Sequence, residues 1–115
     1  MSPKSTAAGK QPLSHVQLER AADVFSTLSE LSRLQLLQEL MPGPRTVSEL
    51  VEATGMKQAN VSKQLGILRS NRLVERERDG NFMHYSIADP MVVHLCEVVC
   101  ESLRRQAVRE AGKYV

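Results

Sequence analysis

Between Lys57 and Asn81 the chain concentrates side chains that can grip a polyanion and read its edges. Lys57, Gln58, Asn60, Ser62 and Lys63 bring ammonium, carboxamide and hydroxyl groups into one short run, with the small residues Ala59 and Gly66 among them. In a duplex major groove, Gln58 or Asn60 has the paired donor and acceptor that match adenine, and Lys63 has donors for guanine. Ala59 and Gly66 leave room for a backbone to approach closely. Arg76, Arg78 and Asn81 follow as candidates for phosphate or minor-groove contacts. Across residues 57–82 six cations (Lys57, Lys63, Arg69, Arg72, Arg76 and Arg78) stand against Glu75, Glu77 and Asp79. That local excess of three is larger than the +2 of the whole chain. A basic surface gathered in one place implies a polyanionic partner, most often nucleic acid.

A second constellation is Cys96-Glu-Val-Val-Cys100. On a helix, i and i+4 share a face, so the two thiols come within reach of one soft ion such as arsenite, Cd²⁺ or Zn²⁺. A disulfide inside a single regular turn strains the preferred geometry. The alternative is that both cysteines are small hydrophobes in a packed interface, where free Cys is commonly found.

The elements that must hold these residues are mostly helical. With aromatics at 3%, the core of this 115-residue chain rests on Leu, Val, Ile, Met and Ala. Its length fits one domain. Residues 1–12 are polar and aperiodic and read as a flexible tail, residues 13–110 as the domain, and 111–115 as a C-terminal tail. Ser14 is positioned to cap a first helix, and Ser29 to open a second that stops at Met41-Pro42-Gly43-Pro44. Thr46-Val-Ser-Glu49 is a capping box for a short third helix ending at Gly55. A fourth runs to about Asn71. On a helical wheel it turns Val61, Leu65, Leu68 and the stem of Arg72 to the core, and Ala59, Lys63, Gly66 and Ser70 outward. Two strands, 73–78 and 82–87, join through Asp79-Gly80-Asn81, with His84 on the hairpin surface. Asp89-Pro90 then opens a last helix reaching about Glu110.

The expected fold is therefore mainly α with a β-hairpin, a winged helix-turn-helix of five helices in the order α-α-α-α-β-β-α. Apolar residues cover roughly 220° of the last helix, whereas a single core requires a stripe of about 100°. The surplus predicts a homodimer through the first and last helices, with Leu18, Val92, Leu95, Val99 and Leu103 at the interface.

Specific runs in this frame resemble the ArsR/SmtB family of bacterial repressors. They are Asn60-Val-Ser-Lys-Gln-Leu-Gly-Ile-Leu, Leu73-Val74, the basic wing with Gly80, Tyr85-Ser86-Ile87, and Ser26-Thr-Leu-Ser29 leading to Arg33. The similarity spans about residues 15–105. It implies a homodimeric winged helix that represses an operon until an inducer lowers its affinity for DNA. By the same resemblance Gln58, Ser62 and Lys63 stand at recognition positions, Lys63 where the family often has His. Family members sense metals through Cys on the second or third helix, or through Asp, His and Glu on the last. Here the second and third helices lack Cys. Aligning Asp89 leaves Met91, Ser102 and Arg105 where the zinc-binding branch has His, His and Glu. The family's usual metal site is thus not expected. The second-helix Cys of its persulfide-sensing branch is also missing.

No cofactor is required by this reading, and any soft-metal or thiol-reactive inducer would act at Cys96 and Cys100. The N-terminus lacks the apolar stretch of a signal peptide, and no run approaches the roughly 20 residues needed to span a bilayer, so a cytoplasmic protein without membrane partners is expected. No nucleophile–base pair, phosphate loop or paired carboxylates are visible, and His15, His84 and His94 fall on separate elements, so an enzyme is not expected. The competing reading is a winged-helix protein-interaction module without specific DNA binding.

Overall fold

Among the described residues, four of the five helices begin where a side chain accepts hydrogen bonds from otherwise unpaired amides. In the computed structural model, which describes residues 11–113, α1 (His15–Leu28) opens on a reciprocal Ser14–Gln17 capping box. The second helix, α2 (Leu31–Leu40), opens on Glu30, whose carboxylate accepts from the Ser32 amide and hydroxyl. Ser29, expected as the cap of α2, instead closes α1: its amide and hydroxyl both donate to the Ser26 carbonyl. The Thr46–Glu49 box opens α3 (Val47–Thr54), which ends at Gly55 with φ 76°. That left-handed conformation is the one glycine adopts without steric cost. At α5 (Pro90–Lys113), the Asp89 carboxylate accepts from the Met91 amide. The last helix runs past Glu110 to Lys113, through part of the expected C-terminal tail. Of the expected N-terminal tail, only residues 11 and 12 lie within the described range.

Between α3 and the wing lies α4 (Gln58–Ser70). It terminates when Arg72 adopts φ 62°, with the Leu73 amide donating back to the Leu68 carbonyl. That reversal takes Arg72 off the apolar stripe, so the residue expected to lean on the core is exposed. The wing is an antiparallel pair, Val74–Asp79 and Phe82–Ile87, turning through Gly80 at φ 65°. The sheet also has a third strand. Arg45–Thr46 (β1) pairs with Phe82–Ile87 (β3), which places β3 between β1 and Val74–Asp79 (β2). The expected lone hairpin is thus a three-stranded sheet, with the wing tied back to the start of α3.

One leucine-rich core joins these parts. Leu36, Leu37 and Leu40 of α2, Leu50 of α3, and Val61, Leu65 and Leu68 of α4 are buried together, closed by Val74, Tyr85 and Val92. Only the first turns of α5 reach this core. Val92 is fully buried within the protomer, which corrects its assignment to a dimer interface. From Glu97 to Gly112 every residue of α5 is exposed. The projecting helix explains a radius of gyration of 17.4 Å, against about 13 Å for a compact chain of this size.

Candidate nucleic-acid interface and thiol groove

Helix α4 is held from one side only. Val61, Leu65 and Leu68 have no exposed surface, whereas Gln58, Ala59, Ser62, Lys63, Gly66 and Ser70 face outward. Lys57 is exposed at its N-cap and makes no capping hydrogen bond, so the first amides of α4 lack the side-chain acceptor that every other helix has. Nothing lies within 4 Å of a Cβ built at Gly66. Packing within the protomer therefore does not account for glycine there.

Arg76 and Arg78 stand on one face of the wing, opposite Tyr85 and Met83, the face that Val74 and Tyr85 press into the core at its base. Both arginines and Asn81 are exposed. Glu77 and His84 pair on the other face, where His84 is half-buried.

Asn60 differs from its neighbours. It is half-buried, its Oδ1 accepts from Gln64 Nε2 at 3.1 Å, and its Nδ2 lies 3.7 Å from Met56 Sδ. Gln64 is one of only two buried polar residues among those described, and sequence reasoning passed over it. A signal was present, because at about 100° per residue Gln64 falls about 40° from Leu68, at the edge of the apolar stripe.

Cys96 and Cys100 both line an apolar groove of about 420 Å³ with Phe25, Leu28 and Leu34 from the first two helices and Met41 at the C-cap of α2. Leu95, Val99 and Leu103 complete its α5 wall. Burial, and secondarily the neighbouring Cys100, raises the Cys96 thiol above the ordinary thiol range. Phe25, Val99 and Leu103 are 60%, 50% and 56% exposed, so the groove opens to one side of the protomer. Leu18, also exposed, lies on α1 away from the groove lining. Among the described residues, no group of three or more His, Cys, Asp or Glu could hold a metal ion, and no helix is long and apolar enough to cross a membrane.

An exposed, small-residue helix following a capped helix and a turn, with an arginine-bearing wing beside it, defines a winged helix-turn-helix DNA-binding domain. The sequence model described as "Bacterial regulatory protein, arsR family" matches residues 32–76. The HTH-type transcriptional regulator NmtR of Mycobacterium tuberculosis is 41% identical over 90 residues, covering 76% of this chain and 75% of the relative. The antimony-specific transcriptional repressor AntR superposes with a TM-score of 0.79 at 30% identity, covering 93% of this chain and 97% of that one. The homodimeric winged helix-turn-helix DNA-binding domain of Mb0332 from Mycobacterium bovis gives 0.75 at 33%, covering 87% and 93%. The chain belongs to the arsR family of bacterial regulatory proteins and is a DNA-binding transcriptional regulator.

Glycine inside an exposed helix is less stable than alanine by about 0.5–1 kcal/mol. Gly66→Ala is therefore expected to raise thermal stability while lowering DNA affinity roughly tenfold, equivalent to about 1.4 kcal/mol. Melting curves and fluorescence-anisotropy titrations check the two effects together. An affinity at or above that of the unaltered protein contradicts close approach at Gly66.

Proposed function

We propose that the protein is a homodimeric repressor that binds an inverted-repeat operator and is released by a thiophilic inducer at Cys96 and Cys100. The observation that carries this reading is the contrast between the two faces of α4. One is sealed into the leucine core; the other is free of packing and carries Gln58, Ala59, Ser62, Lys63 and Gly66. Major-groove entry requires such a one-sided helix. Lys57, the open amides of α4 and the wing residues Arg76, Arg78 and Asn81 supply phosphate contacts on either side.

Dimerisation is supported by the surface left open on α1 and α5. Leu18, Phe25, Val99 and Leu103 are more than half exposed or close to it, and among the described residues α5 is exposed from Glu97 to Gly112. An apolar surface of this kind needs a partner. The homodimeric relative from Mycobacterium bovis makes a second copy the natural one.

For the inducer, two thiols one helical turn apart in an apolar groove favour a soft ion over a hard one. The antimony-specific structural neighbour accords with this choice. Because the groove lies on the dimerising face, occupancy there can change how α1 meets α5 of the partner, and with it the spacing of the two α4 helices. Such coupling requires the inducer to bind the DNA-free arrangement more tightly.

For the DNA interface, Arg78→Ala is expected to weaken binding on all duplexes alike and to lower the slope of log affinity against log salt by about 1. Lys63→Ala is expected to weaken binding to the preferred duplex by about 5- to 100-fold and to relax base preference. Neither change should lower the melting temperature. Salt-titrated anisotropy decides, and unaltered binding in both variants removes the claim.

For the thiols, antimonite, arsenite or Cd²⁺ should release DNA from the unaltered protein, and Cys96→Ser and Cys100→Ser should each abolish release. Cd²⁺ ligation displaces thiol protons, and burial raises the Cys96 thiol, so protons compete with Cd²⁺ most strongly at low pH; arsenite and antimonite instead carry the thiol protons off as water on their own hydroxyls. The Cd²⁺ concentration giving half-release should therefore fall as pH rises from 6 to 9. Release that persists in both variants, or Cd²⁺ release that does not vary with pH, leaves the cysteines a packing role only.

A further inference from the structure

The Ser26-to-Arg33 segment and the buried Gln64 have no part in the reading above, yet they form one hydrogen-bonded chain. Arg33 bridges two elements: one guanidinium nitrogen donates to the Thr27 carbonyl at 2.8 Å, and Nε donates to Gln64 Oε1 at 3.0 Å. Gln64 Nε2 in turn donates to Asn60 Oδ1 at 3.1 Å. The two buried polar residues of the described structure, Thr27 and Gln64, both belong to this chain.

Its direction is fixed by chemistry. A carboxamide can ordinarily rotate to exchange its oxygen and nitrogen. Arginine can only donate, so Gln64 must turn its oxygen toward Arg33 and its NH₂ toward Asn60. Asn60 must then accept through Oδ1, which leaves its NH₂ as the group not engaged by Gln64, resting against Met56 Sδ just before the start of α4. The sulfur is a weak acceptor and gives up that contact readily. Asn60 is the third residue of α4, in the first turn, where recognition helices meet base edges.

We propose that Gln64 is a positioning residue for base selection: together with Arg33 it engages Asn60 Oδ1 and leaves the NH₂ as the group Asn60 can offer, so that Asn60 favours a base whose major-groove edge carries acceptors and no donor amine, guanine or thymine. This departs from the adenine pairing that the sequence allows for Asn60, because the oxygen that such pairing needs is engaged by Gln64. The inference rests on the DNA-reading role of α4 and fails separately from it.

The test uses the full-length protein and binding sites selected from a random duplex library at one salt concentration. Glu at position 64 still accepts from Arg33 but cannot donate. In Gln64→Glu, Asn60 must therefore rotate, donate inward and present its oxygen. The expected result is a switch at one base pair per half-site, from guanine or thymine to adenine or cytosine, by roughly tenfold in relative affinity with other positions unchanged. Gln64→Met, which keeps the volume and removes both hydrogen bonds, should relax preference at that same pair, as should Asn60→Ala. In the Asn60→Ala background, Gln64→Glu should change nothing further. Uniform weakening on all sequences, or the same selected base in the unaltered protein, Gln64→Glu and Gln64→Met, overturns the proposal. If the unaltered protein selects no sequence at all, it is the DNA-reading role that fails.

Discussion

Everything functional in this protein depends on the packing of Val61, Leu65 and Leu68 against the leucines of α2 and α3. Burying three aliphatic side chains contributes on the order of 1.5–3 kcal/mol each, enough to fix α4 on the body of the domain without using its outer face. The same core receives Val74 and Tyr85 at the base of the wing, so helix and wing are held to one reference. A reading surface of small and polar side chains can contribute little to folding by itself. Its stability comes from behind.

The core also sets what is left over. With α2, α3, α4 and the sheet mutually satisfied, only the start of α5 finds a place in the interior, and Val92 takes it. The rest of α5 and the exposed face of α1 are surplus to the protomer. The thiol groove sits where these two surfaces meet. A regulator built this way places its candidate inducer site on the surface that a second copy would cover, far along the fold from α4 but joined to it through α2. Arg33 is one tangible link, since it touches the end of α1 and the middle of α4 at once.

Local chemistry was legible in the sequence, and non-local chemistry much less so. Ser14, the Thr46–Glu49 box, Gly55 and Asp89-Pro90 marked helix boundaries because capping is decided within three or four residues. The outward face of α4 was legible from periodicity alone. Strand Arg45–Thr46 was not, because two residues carry no alternation and their pairing partner lies about 40 positions away. Ser29 was misassigned because a serine flanking two helices can serve either, and Glu30 was the better acceptor for α2. Arg72 was expected inside the helix because nothing in an arginine announces a left-handed turn. Val92 was expected at an interface because the wheel shows that α5 has two apolar surfaces but not which residues each receives. The engagement of Asn60 by Gln64 required knowing that Arg33, 31 residues earlier, would occupy the glutamine's oxygen.

Regulation by this fold requires two copies to present their α4 helices to successive major grooves of one duplex. Hydroxyl-radical footprinting of the full-length protein on a duplex from its own selected pool tests this most directly. Two protected half-sites related by a dyad are expected, their centres about one helical turn or 34 Å apart, with each wing protecting the backbone beside its half-site. A single protected half-site, or protection spread evenly along the duplex with no preferred position, would contradict it.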